Sequence, residues 1–367
     1  MSQIPKISVI IPTRDTLQYL PKAIDSVGSD PDLEIVIIDD GSTDGTAAWL
    51  AAAAAGDPRL VVLTGPGGSS SRARNFGIAA ARAPLIAFLD SDDWWTPGKL
   101  ESQCLLHRTH PQIGFSFTDY RHVTPAGEDR GGSFAYWPRF HARHGRRTAP
   151  FLLGGDALAQ LYAENVVGTS TVIARTDLLR RLGGFDETMP SAEDWELWLR
   201  LAAQAPVGCH SGQLATYLMH RPGNKTCRMD RRITAMRLIA VRYYAQACAQ
   251  DRSATSILKA RILVASAELA DVQGRSFRSA ALQAGAFVCH PTRRAARDLL
   301  AALLRPVRAA VHHWRSDVPA GFTAPPRPHR FRPYPCGAVA AAGPFACCQT
   351  AESVTPVGRA GAGRLAL

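Results

Sequence analysis

The sequence holds eight cysteines but no CxxC pair and no Cys/His run with zinc-finger spacing. The common structural zinc sites are therefore excluded. A chain of 367 residues can bury enough core without disulfides, so Cys104, Cys209, Cys227, Cys248 and Cys289 read as free thiols. Residues 1–6 carry no apolar signal-peptide stretch, and no uninterrupted apolar run reaches the ~20 residues that span a bilayer. The expectation is a cytoplasmic protein. An acidic excess is also lacking. The formal net charge of +11 leaves nucleic acid, an anionic membrane surface or a phosphate-bearing substrate as partner classes. The arginines lie along helices without regular aromatic interleaving, so nucleic acid is not the expected partner.

What is present is a strand–helix alternation. ISVII at 7–11 is a short β-branched run stopped by Pro12, and it reads as a buried strand. Residues 17–27 place Leu17, Leu20, Ile24 and Val27 at helical spacing. Further strands are expected at 33–38, 60–63 and 85–89, with helices at 43–55 and 69–83 between them. Continuous apolar strands alternating with helices predict an α/β fold with a mostly parallel sheet covered on both faces. Ligands in such sheets bind beyond the carboxyl ends of the strands. Polar clusters stand there: 12–15 after the first strand, 39–42 after the second and 90–93 after the fourth.

Beyond Gly98 the pattern loosens. Strands are expected at 114–120 and 169–174. The Gly-, Arg- and His-rich stretch 124–150 reads as a long loop. Residues 193–203 form an amphipathic helix, with Trp195, Trp198, Leu199 and Ala202 on one face. Residues 228–304 are mostly helical by pattern. From about 306 to 367 the chain turns Pro-, Gly-, Ala- and Arg-rich and reads as a disordered tail or a shifted reading frame.

Several clusters carry chemistry. Asp90-Ser91-Asp92-Asp93 packs three carboxylates at one strand end. Their repulsion is offset by a divalent cation such as Mg²⁺ or Mn²⁺, which takes oxygen ligands from carboxylates and substrate phosphates; a solvated acidic turn is the plainer alternative. Asp40 can accept hydrogen bonds from a nucleobase imide or a ribose hydroxyl, while Ser42 or Thr43 can cap the following helix. Arg72, Arg74 and Asn75 follow a Gly/Ser-rich loop, and arginine there suits a phosphate. Glu193-Asp194 opens a helix, where the helix dipole alone favours acids; a general base is the functional reading.

Five blocks together resemble the family 2 glycosyltransferases of the GT-A fold: ISVIIPTRD at 7–15, IVIIDDGSTDGT at 35–46, SRARNFGIAAA at 71–81, LIAFLDSDDWWTPGKLE at 85–101 and EDWELWLRLA at 193–202. The resemblance covers residues 4 to about 220. It implies a GT-A glycosyltransferase domain over 1–220, followed by a helical extension over 221–305 and the tail over 306–367. It further implies that Pro12, Thr13 and Arg14 line the nucleotide pocket and that Asp40 contacts the base, usually uracil. Arg74 and Asn75 would complete the nucleotide block. Asp90, Ser91 and Asp92 would form the DxD turn, touching ribose and holding the metal on the diphosphate. Asp194 would be the catalytic base, and Gly183-Gly184-Phe185-Asp186 the loop that commonly precedes it. Arg14-Asp15 departs from the family, which often places an aromatic residue and Asn there.

The implied activity is inverting transfer of a sugar from a nucleotide-diphosphate sugar, UDP-linked, to a carbohydrate or lipid-linked acceptor in polysaccharide or glycan biosynthesis. A sugar-nucleotide nucleotidyltransferase would carry a Gly-rich loop after the first strand, and Pro12-Thr13-Arg14-Asp15 has no glycine. A haloacid-dehalogenase-like phosphatase would carry its DxD on the first strand. A non-catalytic carbohydrate- or nucleotide-binding protein is the remaining alternative. Separately, residues 290–315 set Arg293, Arg294, Arg297, Arg305, Arg308 and Arg315 against Asp298, with Leu299, Leu300, Leu303, Leu304 and Val307 interleaved. That pattern suits peripheral contact with an anionic membrane or packing on the domain.

Overall fold

The structure, a computed structural model, describes residues 4–219 and 228–316. Four strands form one half of its sheet: β1 (Ile7–Thr13), β2 (Leu33–Asp39), β3 (Leu60–Thr64) and β4 (Leu85–Phe88). They are parallel, with β1 between β2 and β4 and with β3 outside β2. Helices α1 (Leu20–Asp25), α2 (Thr46–Gly56) and α3 (Ser70–Ala80) supply the crossovers. Strand alternation sends β1 to two cores. Ile10 packs with Val36, Ile38 and Ala73 of α3, while Ile7, Val9 and Ile11 pack with Leu20, Ile24 and Leu50. Burial on both faces is why these strands are apolar throughout.

The other half is mixed. It contains β5 (Trp94–Trp95), α4 (Lys99–Thr109), β6 (Phe115–Val123), β7 (Asp129–Gly132), α5 (Ser133–Tyr136), α6 (Pro138–His144), β8 (Phe151–Leu152) and α7 (Ala157–Ala163). Then follow β9 (Ile173–Arg175), α8 (Thr176–Arg181), α9 (Glu193–Ala202) and β10 (Val207–Leu218). The sheet order is β3-β2-β1-β4-β9-β6-β10-β5. β9 runs antiparallel to both β4 and β6, whereas β10 is parallel to β6.

Three expectations are corrected here. The stretch 124–150 is not one long loop: it holds β7, α5 and α6. Phe134, Trp137 and Phe140 recur every third residue and are buried, which organises a segment whose composition reads as loop. Residues 169–174 are not one strand. Thr169–Thr171 forms a 3-10 turn before β9, because Thr171 Oγ1 bonds Gly168 O at 2.7 Å and Ser170 Oγ is drawn to Asp90. Nor does Ser42 or Thr43 cap α2. The helix opens at Thr46 after the left-handed Gly45 (φ 93°), and Asp44 Oδ1 accepts from Thr46 N at 3.1 Å.

The C-terminal helices are α10 (Met229–Arg242), α11 (Tyr244–Gln250), α12 (Arg252–Val272), α13 (Ser276–Cys289) and α14 (Arg293–Ser316). The first three share the main core. Ile233, Met236, Ile239, Tyr243, Ile257 and Leu258 belong to the cluster that holds Trp195 and Trp198. Tyr162 Oη donates to Ala240 O at 2.9 Å, and Arg242 Nη1 meets the buried Glu196 at 2.8 Å. α14 continues past residue 305 to Ser316, and the rest of the expected tail lies outside the described residues. Cys104, Cys209, Cys248 and Cys289 are free thiols, while Cys227 lies outside the described residues.

Gly77 lets α3 lie on the parallel strands. A Cβ there would come within 2.7 Å of Ile10 Cγ2 and 2.9 Å of Ile38 Cδ1. Gly77→Ala should destabilise the fold by ~1–3 kcal/mol through overpacking, measured by urea unfolding. An unchanged midpoint would show that the helix can shift at no cost.

Candidate active site

The carboxyl ends of β1, β2 and β4 meet at one cleft of ≈ 720 Å³. Hydroxyls stitch the loops together. Thr13 Oγ1 lies 2.7 Å from Thr16 Oγ1, and Thr16 Oγ1 donates to Ser91 Oγ at 2.9 Å. The turn after β1 is thereby bonded to the acidic turn after β4. Asp15, at φ 49°, clasps the loop after β2: its N–H donates to Ser42 Oγ at 3.0 Å, and its carboxylate accepts from Thr43 N at 2.7 Å. The departure at Arg14-Asp15 thus has a local structural role. Arg14 remains 62% exposed at the cleft. Asp40 accepts from Gly67 N at 2.7 Å. Gly65 permits this fold-back, since a Cβ there would sit 2.9 Å from Asp40 Cα.

Asp90 is paired with Arg74 Nη2 at 2.5 Å. Arg74 is buried on α3, and its Nη1 lies 3.8 Å from Glu193. Asp93 is buried behind the turn. It accepts from Ser170 Oγ at 2.5 Å and Leu218 N at 3.2 Å. Burial, then the neighbouring Asp92 and Asp90 carboxylates, hold it well above the usual carboxylate range. Asp92 is half-buried and lines the cleft.

Asp194 faces the same cleft from the first turn of α9. The turn starts after Ala192, whose φ of 53° is unusual for a residue other than glycine. Thr169 Oγ1 donates to Asp194 Oδ2 at 3.0 Å, and Trp195 N donates to Oδ1 at 2.7 Å. Burial, followed by the adjacent Glu193, pushes its carboxyl up to about 6; Trp195 N–H, Arg74 and Thr169 oppose that rise. The helix dipole accounts for an acid in this turn, but not for a desolvated one aimed into a cleft.

Pro12, Thr13, Arg14, Asp40, Arg74, Asp90, Ser91, Asp92 and Asp194 therefore converge. Asn75 does not line the cleft. Its Nδ2 donates to Phe185 O and Glu187 Oε1, both at 2.9 Å, and its Oδ1 accepts from Phe185 N at 2.7 Å. It holds the Gly183–Asp186 loop in place. Other wall residues escape sequence reasoning. Tyr120 and His122 come from β6, Trp137 precedes α6, Tyr217 comes from β10, and Arg232, Met236 and Arg261 come from the C-terminal helices. Helical periodicity marks such arginines only as polar-face residues.

The profile of the glycosyl transferase family 2 matches residues 8–158. An uncharacterized glycosyltransferase of Rickettsia conorii is 32% identical over 205 residues, covering 55% of this chain and 31% of that protein. The hyaluronan synthase of Pasteurella multocida is 25% identical over 204 residues, covering 55% and 19%. The matched segment spans less than a third of the length of these two relatives. Among solved structures, S. aureus TarS 1–349 in complex with UDP-GlcNAc superposes with a TM-score of 0.54 at 20% identity, covering 85% of this chain and 87% of that one. The mannosyltransferase PcManGT from Pyrobaculum calidifontis, in complex with GDP-Man and Mn²⁺, gives 0.56 at 18% identity, covering 86% and 84%. The fold is that of the GT-A glycosyltransferases. Residues 8–158, in the N-terminal half of the chain, thus carry the match to glycosyl transferase family 2.

If Asn75 is structural, Asn75→Ala should lower stability by ~1–3 kcal/mol, because it leaves Phe185 N–H and C=O without their partner. Nucleoside diphosphate affinity, measured by calorimetry on the folded variant, should change little. A large loss of affinity at wild-type stability would restore the nucleotide-contact role.

Proposed function

We propose that this protein is an inverting glycosyltransferase that moves a sugar from a UDP-linked donor to an acceptor hydroxyl in polysaccharide or glycan biosynthesis. One observation carries the reading: a single cleft sets the Asp90–Asp92 turn, braced by Arg74, opposite the half-buried Asp194 carboxylate, raised to about 6. The donor complexes of the two structural neighbours support a nucleotide-sugar ligand. Asp40 supports the uracil assignment, since a carboxylate at a β2 end accepts from an imide N–H. The hydroxyl-stitched, glycine-free turn after β1 disfavours a nucleotidyltransferase.

In this reading Pro12, Thr13, Arg14 and Asp40 hold the nucleoside, and Ser91 positions the acidic turn. Asp194 accepts the proton of the acceptor hydroxyl. That oxygen bonds to the anomeric carbon from the face opposite the leaving group, and the bond to the nucleoside diphosphate breaks. Asp92 and Asp90 would hold a divalent cation, which would offset the diphosphate charge. The residues fit such an ion: Asp90, Asp92 and Asp93 crowd one turn, Asp92 and Asp90 raise the buried Asp93, and Arg74 pairs with Asp90. Among the described residues no set of three or more His, Cys, Asp or Glu side chains forms a cage, so substrate oxygens would complete the coordination.

Peripheral contact with an anionic membrane is a second part of the proposal. Among the described residues no helix is long and apolar enough to cross a membrane. α14 nevertheless exposes Leu300, Leu303 and Leu304 beside Arg293 and Arg297. The chain should co-sediment with anionic but not neutral vesicles; equal behaviour with both would remove this part.

The donor assignment is tested by incubating the protein with nucleotide sugars and Mn²⁺ and measuring nucleoside diphosphate release. Release should be fastest from a UDP-sugar, and preference for another base would reject the Asp40 argument. Asp194→Asn should retain donor binding and lose transfer by on the order of 10²-fold or more. The base works only when deprotonated, so the wild-type rate should fall as pH drops through about 6. Normal transfer by the variant, or an acid limb near the ordinary carboxylate range, would end the base assignment.

A further inference from the structure

Two arginines from outside the family domain face the cleft, and no part of the donor chemistry above uses them. Arg261 of α12 lies between two indoles, its guanidinium 4.6 Å from the Trp137 ring and 5.2 Å from the Trp195 ring. Its Nη1 donates to Ala163 O at 2.8 Å. Among the described residues no carboxylate lies within ion-pair distance of it. The acid that acts on it, Glu164, already accepts from Arg139 N at 3.2 Å and Phe140 N at 2.8 Å. Arg232 of α10 lines the same wall, and its charge opposes that of Arg261. Burial, with Arg232 second, brings Arg261 down to about 10, so it stays cationic at neutral pH.

Arg232 also acts on Glu268, so the unbalanced charge is that of Arg261, a desolvated guanidinium with no carboxylate of its own at ion-pair distance. An anion set against Arg261 offsets that cost. The planar fork of arginine matches carboxylate and phosphate oxygens. Asn165 adds a second signal on this wall, because its Oδ1 is buried with no hydrogen-bond partner, and an amide oxygen can accept from a ligand hydroxyl. The position gives the anion its place in the reaction. Trp195, against which Arg261 packs, directly follows Asp194.

We infer that Arg232, Arg261 and Asn165 form an acceptor subsite for a sugar bearing a carboxylate or a phosphate. The assignment of this side to the acceptor rests on the proposed role of Asp194.

The test uses the full chain, with UDP and Mn²⁺ filling the donor side, and titrates glucuronic acid, glucose 6-phosphate and glucose. At least one charged sugar should bind about tenfold tighter than glucose, as expected for a charge-assisted contact. Comparison of the two charged sugars tells carboxylate from phosphate. Arg261→Gln should abolish the advantage and Arg261→Lys should keep part of it, with UDP affinity unchanged in both. The wild-type comparison stands even if a variant fails to fold. Binding of glucose as tight as both charged sugars, or no binding by either charged sugar, overturns the subsite. Loss of UDP affinity in a folded Arg261→Gln variant also overturns it, by assigning the guanidinium to the donor diphosphate. If the wild type binds no UDP, the donor reading fails instead, and titrations without UDP still read the subsite.

Discussion

The cleft depends on one buried cation. Arg74 reaches from α3 to Asp90 at the end of β4 and towards Glu193 at the start of α9. These elements are far apart in sequence, and the acids they present would repel one another if brought together alone. Asp90, Asp92, Asp93, Glu193 and Asp194 all crowd this end of the sheet, and the charge of Arg74 opposes the rise of Asp194. The desolvation cost of burying a guanidinium is recovered only because several carboxylates share it. Gly77 matters for the same reason: it brings α3 close enough to the strands for Arg74 to reach the acidic turn.

The acids around Arg74 are differentiated by what else they touch. Asp90 has a charged partner, and Asp93 has Ser170 and a backbone amide in a buried site. Asp194 has Thr169 and its own helix turn. Environment, not residue type, divides neighbouring carboxylates into a paired anion, a structural acid and a group that titrates near 6. Ser170 is central to this division, because its hydroxyl accepts from Asp90 N while donating to Asp93. A regular strand through 169–171 would not present these hydroxyls in this way.

The parallel half of the sheet was legible because burial on both faces writes an apolar run that no surface strand needs. β1 to β4 and the polar clusters at their ends are found where the text of the chain puts them. The mixed half was legible only in part: β6 and α9 lie where a strand and a helix are expected, but β10 was missed. β10 reads VGCHSGQLATYL, with its register interrupted at His210 and Gln213, so neither alternation nor an apolar run marks it. Asn75 stands outside the cleft for a different reason. It shares a helix with Arg74 in the block SRARN, but adjacent helical residues face different directions, and only Arg74 turns to the cleft. Sequence blocks report proximity along the chain, whereas the site is decided by direction.

The helical extension changes the meaning of the family domain. Its residues enter the same core as Trp195 and Trp198, and Arg242 neutralises the buried Glu196 two residues beyond Asp194. α9 is therefore pinned from behind by α10 while it presents Asp194 in front. An appended domain with its own core could vary freely without touching the cleft; one that shares the core and holds the helix that presents Asp194 cannot. The helices that brace α9 are also those that bring Arg232 and Arg261 to the wall. Support of the Asp194 helix and the far wall of the cleft are thus supplied by the same two helices, α10 and α12.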